Sequence, residues 1–212
     1  MKKKLYFGRI KSRKISRIKE SSFKKYLKTK NINRLNLKKK LILEIGIGMG
    51  ENLIYLSKKN IKKNIIGVDP FKNGMVNVSD YCINNNIKNI YLYPYVFQKF
   101  INKFKKLRFD IIYVLFPDPW PKKRHHKRRL INKELIKLIK KKLVLHGRLH
   151  IATDWENYAN YIMEIGNADS ELINLAGHNN YSPSPEWRTE TRFEHRGKKL
   201  EHNVWDLCYG LR

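Results

Sequence analysis

Short, nearly unbroken apolar runs recur from residue 41 onward, most closed by an acid, a proline or the edge of a turn. "LILEI" (41–45), "NIIGVD" (64–69), "NIYLYP" (89–94), "FDIIYVLF" (109–116) and "GRLHIATD" (147–154) are strand-sized and rich in β-branched and aromatic side chains. Most lack a period-two alternation of polar and apolar positions, as expected of strands covered on both faces. Between them lie stretches of helical period. "GIGMGENLIYLSKK" turns through glycine into a helix, and an amphipathic stretch runs to about Asn84. A further helix is predicted from about Asn132 to Lys142, and another over "WENYANYIMEI". Strands alternating with helices predict an α/β fold with a doubly wound, mostly parallel sheet. After Gly166 the pattern changes, and "ELINLAG", a Ser/Pro turn and "NVWDLCY" predict a closing strand pair. Residues 1–36 are basic and weakly periodic, with arginines at 9, 13, 17 and 34. They are expected to form an N-terminal arm, partly helical or mobile, with residues 37–212 as the domain proper.

Composition narrows the partner. Among 212 residues, 46 are Lys or Arg against 18 Asp or Glu, a formal net charge of +28. Such a balance favours a polyanion, nucleic acid before an acidic membrane surface. Lysine, asparagine and isoleucine are abundant everywhere, however, so where the charge lies matters more than its total. Cys82 and Cys208 have neither metal-ligand spacing nor the look of a disulfide framework. No apolar run approaches a membrane span, and the start "MKKKLYFGRIKSRKISRIKE" lacks the apolar core of a secretory signal. A cytoplasmic protein is expected, with no membrane partner; a monomer is expected, with a dimer left open.

In a doubly wound sheet, ligands bind at the carboxyl ends of the strands. Four acids fall there: Glu44, Asp69, Asp118 and Asp154. "EIGIGMGEN" (44–52) places Gly46, Gly48 and Gly50 in the first strand-to-helix turn, with spacing G-x-G-x-G rather than the dinucleotide G-x-G-x-x-G. An acid ahead of the glycines repels phosphate and welcomes an ammonium group. That favours S-adenosylmethionine, a cation with an amino-acid tail, with Asp69 placed to accept from ribose hydroxyls. A plain tight turn with a capping acid is the alternative. "FPDPWPKKRHHKRRL" (116–130) follows the fourth strand. Its prolines forbid helix and central strand, so Asp118 stands on a stiff turn beside Trp120, on which a purine can stack. Lys122, Lys123, Arg124, His125, His126, Lys127, Arg128 and Arg129 are candidates for gripping phosphates, against a solvated charge run. A metal at the paired histidines is not expected among so many cations. Asp154 reads equally as a helix N-cap, and "TRFEHRG" (191–197) by itself reads as an exposed turn.

"FPDPWPKKRHHKRRL" resembles the signature of the bacterial tRNA (guanine-N7)-methyltransferases of the TrmB type. "LEIGIGMGENL", "IATDWENYA" and "TRFEHRG…HNVWDL" match further blocks in that family's order, and "YFGRIKSRK" is similar to its basic arm. The resemblance implies a class I S-adenosylmethionine-dependent methyltransferase, Rossmann-like, transferring a methyl group to N7 of the guanine at position 46 of tRNA. It implies Glu44, Gly46, Gly48, Asp69 and Asp118 at the cofactor, with Asp118 the catalytic group. It further implies Lys122, Asp154, Thr191, Arg192, Phe193 and Glu194 on substrate, and Arg124 to Arg129 on RNA. Three departures stand out. Asp69 occupies a place where the family usually has Glu, Val96 one where it has Asp, and Glu201 and Asn203 lie where glycine is common. Two alternatives stay open: a methyltransferase acting on rRNA, DNA or a small molecule, and a non-catalytic RNA-binding protein on a degenerate methyltransferase fold.

Overall fold

The computed structural model describes residues 7, 8, 10, 14–183, 188–199, 201 and 203–212, the side chains of Phe193, Lys198 and Lys199 apart. Arg9 and Arg13, singled out in the basic start, lie outside the described residues. The chain divides into two compact units, Met1–Lys106 and Leu107–Arg212.

The first unit is built on three parallel strands, β1 (Leu41–Ile45), β2 (Asn64–Val68) and β3 (Ile90–Tyr93), in the order β3-β2-β1. Every residue of β1 and β2 is buried, which explains why neither strand alternates. Three helices follow these strands: α2 (Glu51–Lys59), α3 (Lys72–Asn84) and α4 (Phe97–Lys103). Leu53 and Leu56 of α2, Met75 and Val78 of α3, and Phe100 of α4 are at most 1% exposed, as are Ile42, Leu43, Ile65 and Ile66. Part of the basic start is helical, as expected, and it is packed onto the first unit. Arg17–Thr29 form helix α1, opened by Ser16, whose side chain accepts from Lys19 N. It packs on α3 by burying Phe23 and Tyr26, and the Tyr26 hydroxyl donates to the Ile90 carbonyl at 2.9 Å. Ion pairs Lys72–Glu20 and Lys19–Asp80 flank that contact.

The second unit holds β4 (Phe109–Leu115), β5 (Leu143–Thr153), β6 (Leu172–Asn174) and β7 (Trp205–Leu211), in the order β4-β5-β7-β6. The β4–β5 pair is parallel, and β7 runs antiparallel to both β5 and β6. The closing strand pair expected after Gly166 is therefore present. α5 (Lys133–Lys140), α6 (Glu156–Asn167) and α7 (Arg192–Lys199) complete the unit. Asn132 opens α5 by accepting from Leu135 N. The "TRFEHRG" stretch is helix α7 rather than a turn, its start capped by the Thr191 hydroxyl, which accepts from Glu194 N at 3.2 Å. Among the described residues, no helix is long and apolar enough to cross a membrane.

Candidate active site

In the first unit the chain turns from β1 into α2 through three glycines with positive φ: 81° at Gly46, 55° at Gly48 and 88° at Gly50. A side chain in that region costs about 1–2 kcal/mol. Gly50 has no room for one in any case, since a Cβ there lies 2.0 Å from Val78 Cγ2. At Gly46 the opposite holds: a Cβ meets nothing within 4 Å, so this face of the turn is open. Asp69, at the end of β2, ties the turn down. One carboxylate oxygen accepts from Gly48 N at 3.0 Å and the other from Phe71 N at 2.8 Å. Gly74 of α3 closes against the same point, where a Cβ comes within 1.7 Å of the Gly48 carbonyl oxygen. Asn77 adds a bond to the Met49 carbonyl at 2.9 Å.

Glu44 is 2% exposed and accepts from the Asn52 amide at 3.1 Å. Burial pushes its pKa up to about 8; the Asn52 bond opposes the shift, while Asp69 and Glu51 add to it. A cation placed beside it favours the charged form again. Glu51 stands in the first turn of α2. The helix end that receives phosphate in dinucleotide folds thus carries an acid here. These groups fit S-adenosylmethionine: Glu44 as an acceptor for an ammonium group and the open face at Gly46 for close approach. The expected ribose acid, Asp69, has both oxygens on backbone amides of the turn. Val96, where the family has Asp, is the N-cap of α4 and makes no side-chain capping bond.

In the second unit, β4 delivers the Pro-Asp-Pro turn. Phe116 and Trp120, on either side of it, have φ of 48° and 46°. Such conformations cost bulky residues about 1–3 kcal/mol each. Asp118 between them is exposed, while Pro117 is buried. The cationic run folds into a 3-10 turn, Lys123–Arg128, with Lys122 at its N-cap. Lys122, Lys123, Arg124 and Lys127 are exposed, and His125, His126 and Arg128 are half-buried. Arg128 lies 4.9 Å over the Trp120 ring, and His125 meets the same ring edge-on at 5.9 Å. Desolvation, then the cations Arg128, Arg124, Lys122 and Lys127, hold His125 below its usual range.

Arg129 departs from the expected RNA contacts. It is 4% exposed and donates to the Pro119 carbonyl and to Asn157 Oδ1, both at 2.8 Å, with its guanidinium 4.6 Å over Tyr158. Glu194 departs in the same way. It is buried and paired with Arg188, which also binds Asp206 at 2.8 Å and lies 5.5 Å over Phe116. Burial opposes the charge on Arg188, but the two carboxylates outweigh it and raise its pKa. Thr191 is buried as the α7 cap, Arg192 is exposed, and the Phe193 side chain lies outside the described residues. Asp154 is half-buried and precedes the N-cap of α6, which is Trp155, so the simple capping role does not apply. Arg188, Asn157, Tyr158 and Asp206 escaped the sequence reading. Their partners lie ten or more residues away except for the Arg188–Glu194 pair, six apart, and no helical period marks that spacing.

A family model described as "Putative methyltransferase" matches residues 38–207. A tRNA (guanine-N(7)-)-methyltransferase of Alcanivorax borkumensis is 39% identical over 194 residues, covering 81% of this chain and 72% of that protein. The chain belongs to the tRNA (guanine-N7)-methyltransferase family. A member from Histophilus somni is 38% identical over 175 residues, covering 80% of this chain and 68% of its own length. Among solved structures, an rRNA methylase from Streptococcus thermophilus superposes with a TM-score of 0.55 at 12% identity, covering 94% of this chain and 99% of that one. A putative methyltransferase from Streptococcus mutans in complex with SAH does so at 0.55 and 15%, covering 94% and 100%. Such identities speak to fold alone, and the fold is the Rossmann-like class I S-adenosylmethionine-dependent methyltransferase fold.

Proposed function

We propose that this family member methylates N7 of guanine in tRNA, with the guanine at position 46 as its target, using S-adenosylmethionine. The observation that carries the reading is the exposed Asp118 on its strained turn, directly ahead of an exposed cationic segment, in a chain 39% identical to an enzyme of that name.

S-adenosylmethionine, when bound, supplies an electrophilic methyl group on a sulfonium sulfur. Glu44 would hold the ammonium end of the cofactor, and the open backbone at Gly46 would admit it closely. Asp69 keeps that turn in shape through Gly48 and would stand beside the ribose. Guanine N7 has a lone pair and no proton, so this chain needs no general base. Its residues supply orientation instead, an effect worth roughly 7–11 kcal/mol in well-aligned reactions. Asp118 accepts from the guanine's Watson–Crick edge and stabilises the positive charge that grows on the purine. Trp120 supports the base, Lys122, Asp154 and Arg192 meet the substrate, and Arg124, Lys127 and Arg128 hold phosphates.

Transfer of a tritiated methyl group to unmodified tRNA, followed by aniline cleavage at the product, tests substrate and atom together. A tRNA with adenine at position 46 should accept none. Asp118→Asn keeps the shape but removes the charge, and should slow single turnover by about 10²-fold, roughly 2.7 kcal/mol of barrier. A rate within about threefold of wild type would leave Asp118 as a shaper of the turn only.

A further inference from the structure

The turn that displays Asp118 has a left-handed aromatic residue at each end, and a buried arginine braces each end. At the first, the Arg188 guanidinium covers the Phe116 ring while Glu194 of α7 and Asp206 of β7 hold it in place. At the second, Arg129 donates through Nε to the Pro119 carbonyl and through Nη2 to Asn157 of α6. Its guanidinium also stacks over Tyr158 of α6, whose hydroxyl accepts from Ile131 N at 2.7 Å. The chain just after the cationic turn is therefore fastened to α6 at two successive points. A phosphate-binding arginine needs its donors in solvent. Arg129, 4% exposed, commits its Nε and an Nη2 donor to the turn and to α6, while Arg124 and Lys127 in the same run are exposed.

We propose that Arg129 is a positioning residue for Asp118 and not an RNA contact. The planar fork of arginine suits this task, because it bonds a carbonyl and a side-chain amide at once while its face lies on an aromatic ring. The Pro119 carbonyl lies one peptide beyond Asp118, and the ring of Pro119 stiffens the link between them, so the bond anchors the end of the short turn that carries the Asp118 side chain. The inference rests on the proposed function through the role given there to Asp118.

A double-mutant cycle tests it. Single-turnover methyl transfer at saturating cofactor and tRNA is measured for wild type, Arg129→Lys, Asp118→Asn and the double variant. Lysine keeps the charge but cannot make both bonds and the stack. Arg129→Lys should slow transfer about tenfold in the wild-type background and less than about twofold in the Asp118→Asn background, because one residue acts through the other. The affinity for tRNA and its salt slope should stay at wild-type values. An equal loss in both backgrounds overturns the inference, as does a shallower salt slope, which marks a phosphate contact. If Arg129→Lys melts below the assay temperature, Asn157→Ala removes its outer partner, and the same cycle decides. An active wild type with an unimpaired Asp118→Asn also overturns it, since there is then no carboxylate to position. A wild type inert towards tRNA removes the proposed function itself, an outcome separate from an active wild type with an additive cycle.

Discussion

At Glu44 the physics of a single residue makes a measurable link between protons and cofactor. Burial raises its folded pKa to about 8 from an ordinary value of 4.5. The folded chain therefore keeps a proton that the unfolded chain has lost. Stability that is fully present below the unfolded value falls as pH rises through the folded one. A bound ammonium group favours the carboxylate and so expels that proton. S-adenosylmethionine affinity should therefore rise with pH between about 6 and 8, by up to about tenfold per unit. Calorimetry in buffers of different ionisation enthalpy reads both the affinity and the proton released. Glu44→Gln should flatten the profile. An affinity of the wild type that does not vary with pH would remove Glu44 from the ammonium group.

Helix α4 shows how an element survives a poor start. It is seven residues long, its N-cap is Val96, and no acid stands in its first turn. Its stability comes from aromatic packing: Phe97 stacks near Phe100, and Phe100 and Phe104 both meet Tyr93. The Phe97, Phe100 and Phe104 spacing is a helical period that marks this element in the sequence, although Pro94 just ahead of it draws the eye to a turn. Val96→Asp supplies a side-chain acceptor at the start of the helix and an anion for its positive end. The substitution should stabilise the chain by about 0.5–2 kcal/mol. Thermal unfolding checks this, and an unchanged or lower melting temperature would show that the amides already have partners. α1 and α7 are further elements decided by packing. The basic start was expected to be partly helical, but its packing through Phe23 and Tyr26 carries no periodic mark, and a salt-rich stretch hid the second.

For the whole molecule the question is whether +28 of formal charge is diffuse or focused. Lysines spread over every surface bind any polyanion weakly, whereas contacts at fixed phosphates release a countable number of ions. Replacing Lys123, Arg124 and Lys127 together with Ala should make the salt slope of tRNA binding shallower by about 0.7–0.9 per residue. Affinity for S-adenosylmethionine should stay at its wild-type value. Binding titrations from low to moderate salt decide it, and a slope equal to wild type would assign the RNA grip to the remaining charge.

What the sequence determined by itself is local or periodic. Strands buried on both faces appear as mostly apolar runs because a polar group there needs a partner of its own, as Glu44 has in Asn52, so β1 to β5 could be read to within a few residues. The glycine turn and the Pro-Asp-Pro turn were legible because backbone constraint is written into residue type. What only tertiary structure decided is the fate of charged side chains. In the sequence, Arg129 looks like Arg128, and Glu194 looks like any surface acid. One is buried because Asn157 and Tyr158 arrive from α6, and the other because Arg188 and Asp206 do. Asp69 likewise looked like a ligand for ribose, yet its oxygens first bind Gly48 and Phe71. A charge is stable indoors only when partners surround it, and partners brought together from distant parts of the chain leave no period to read.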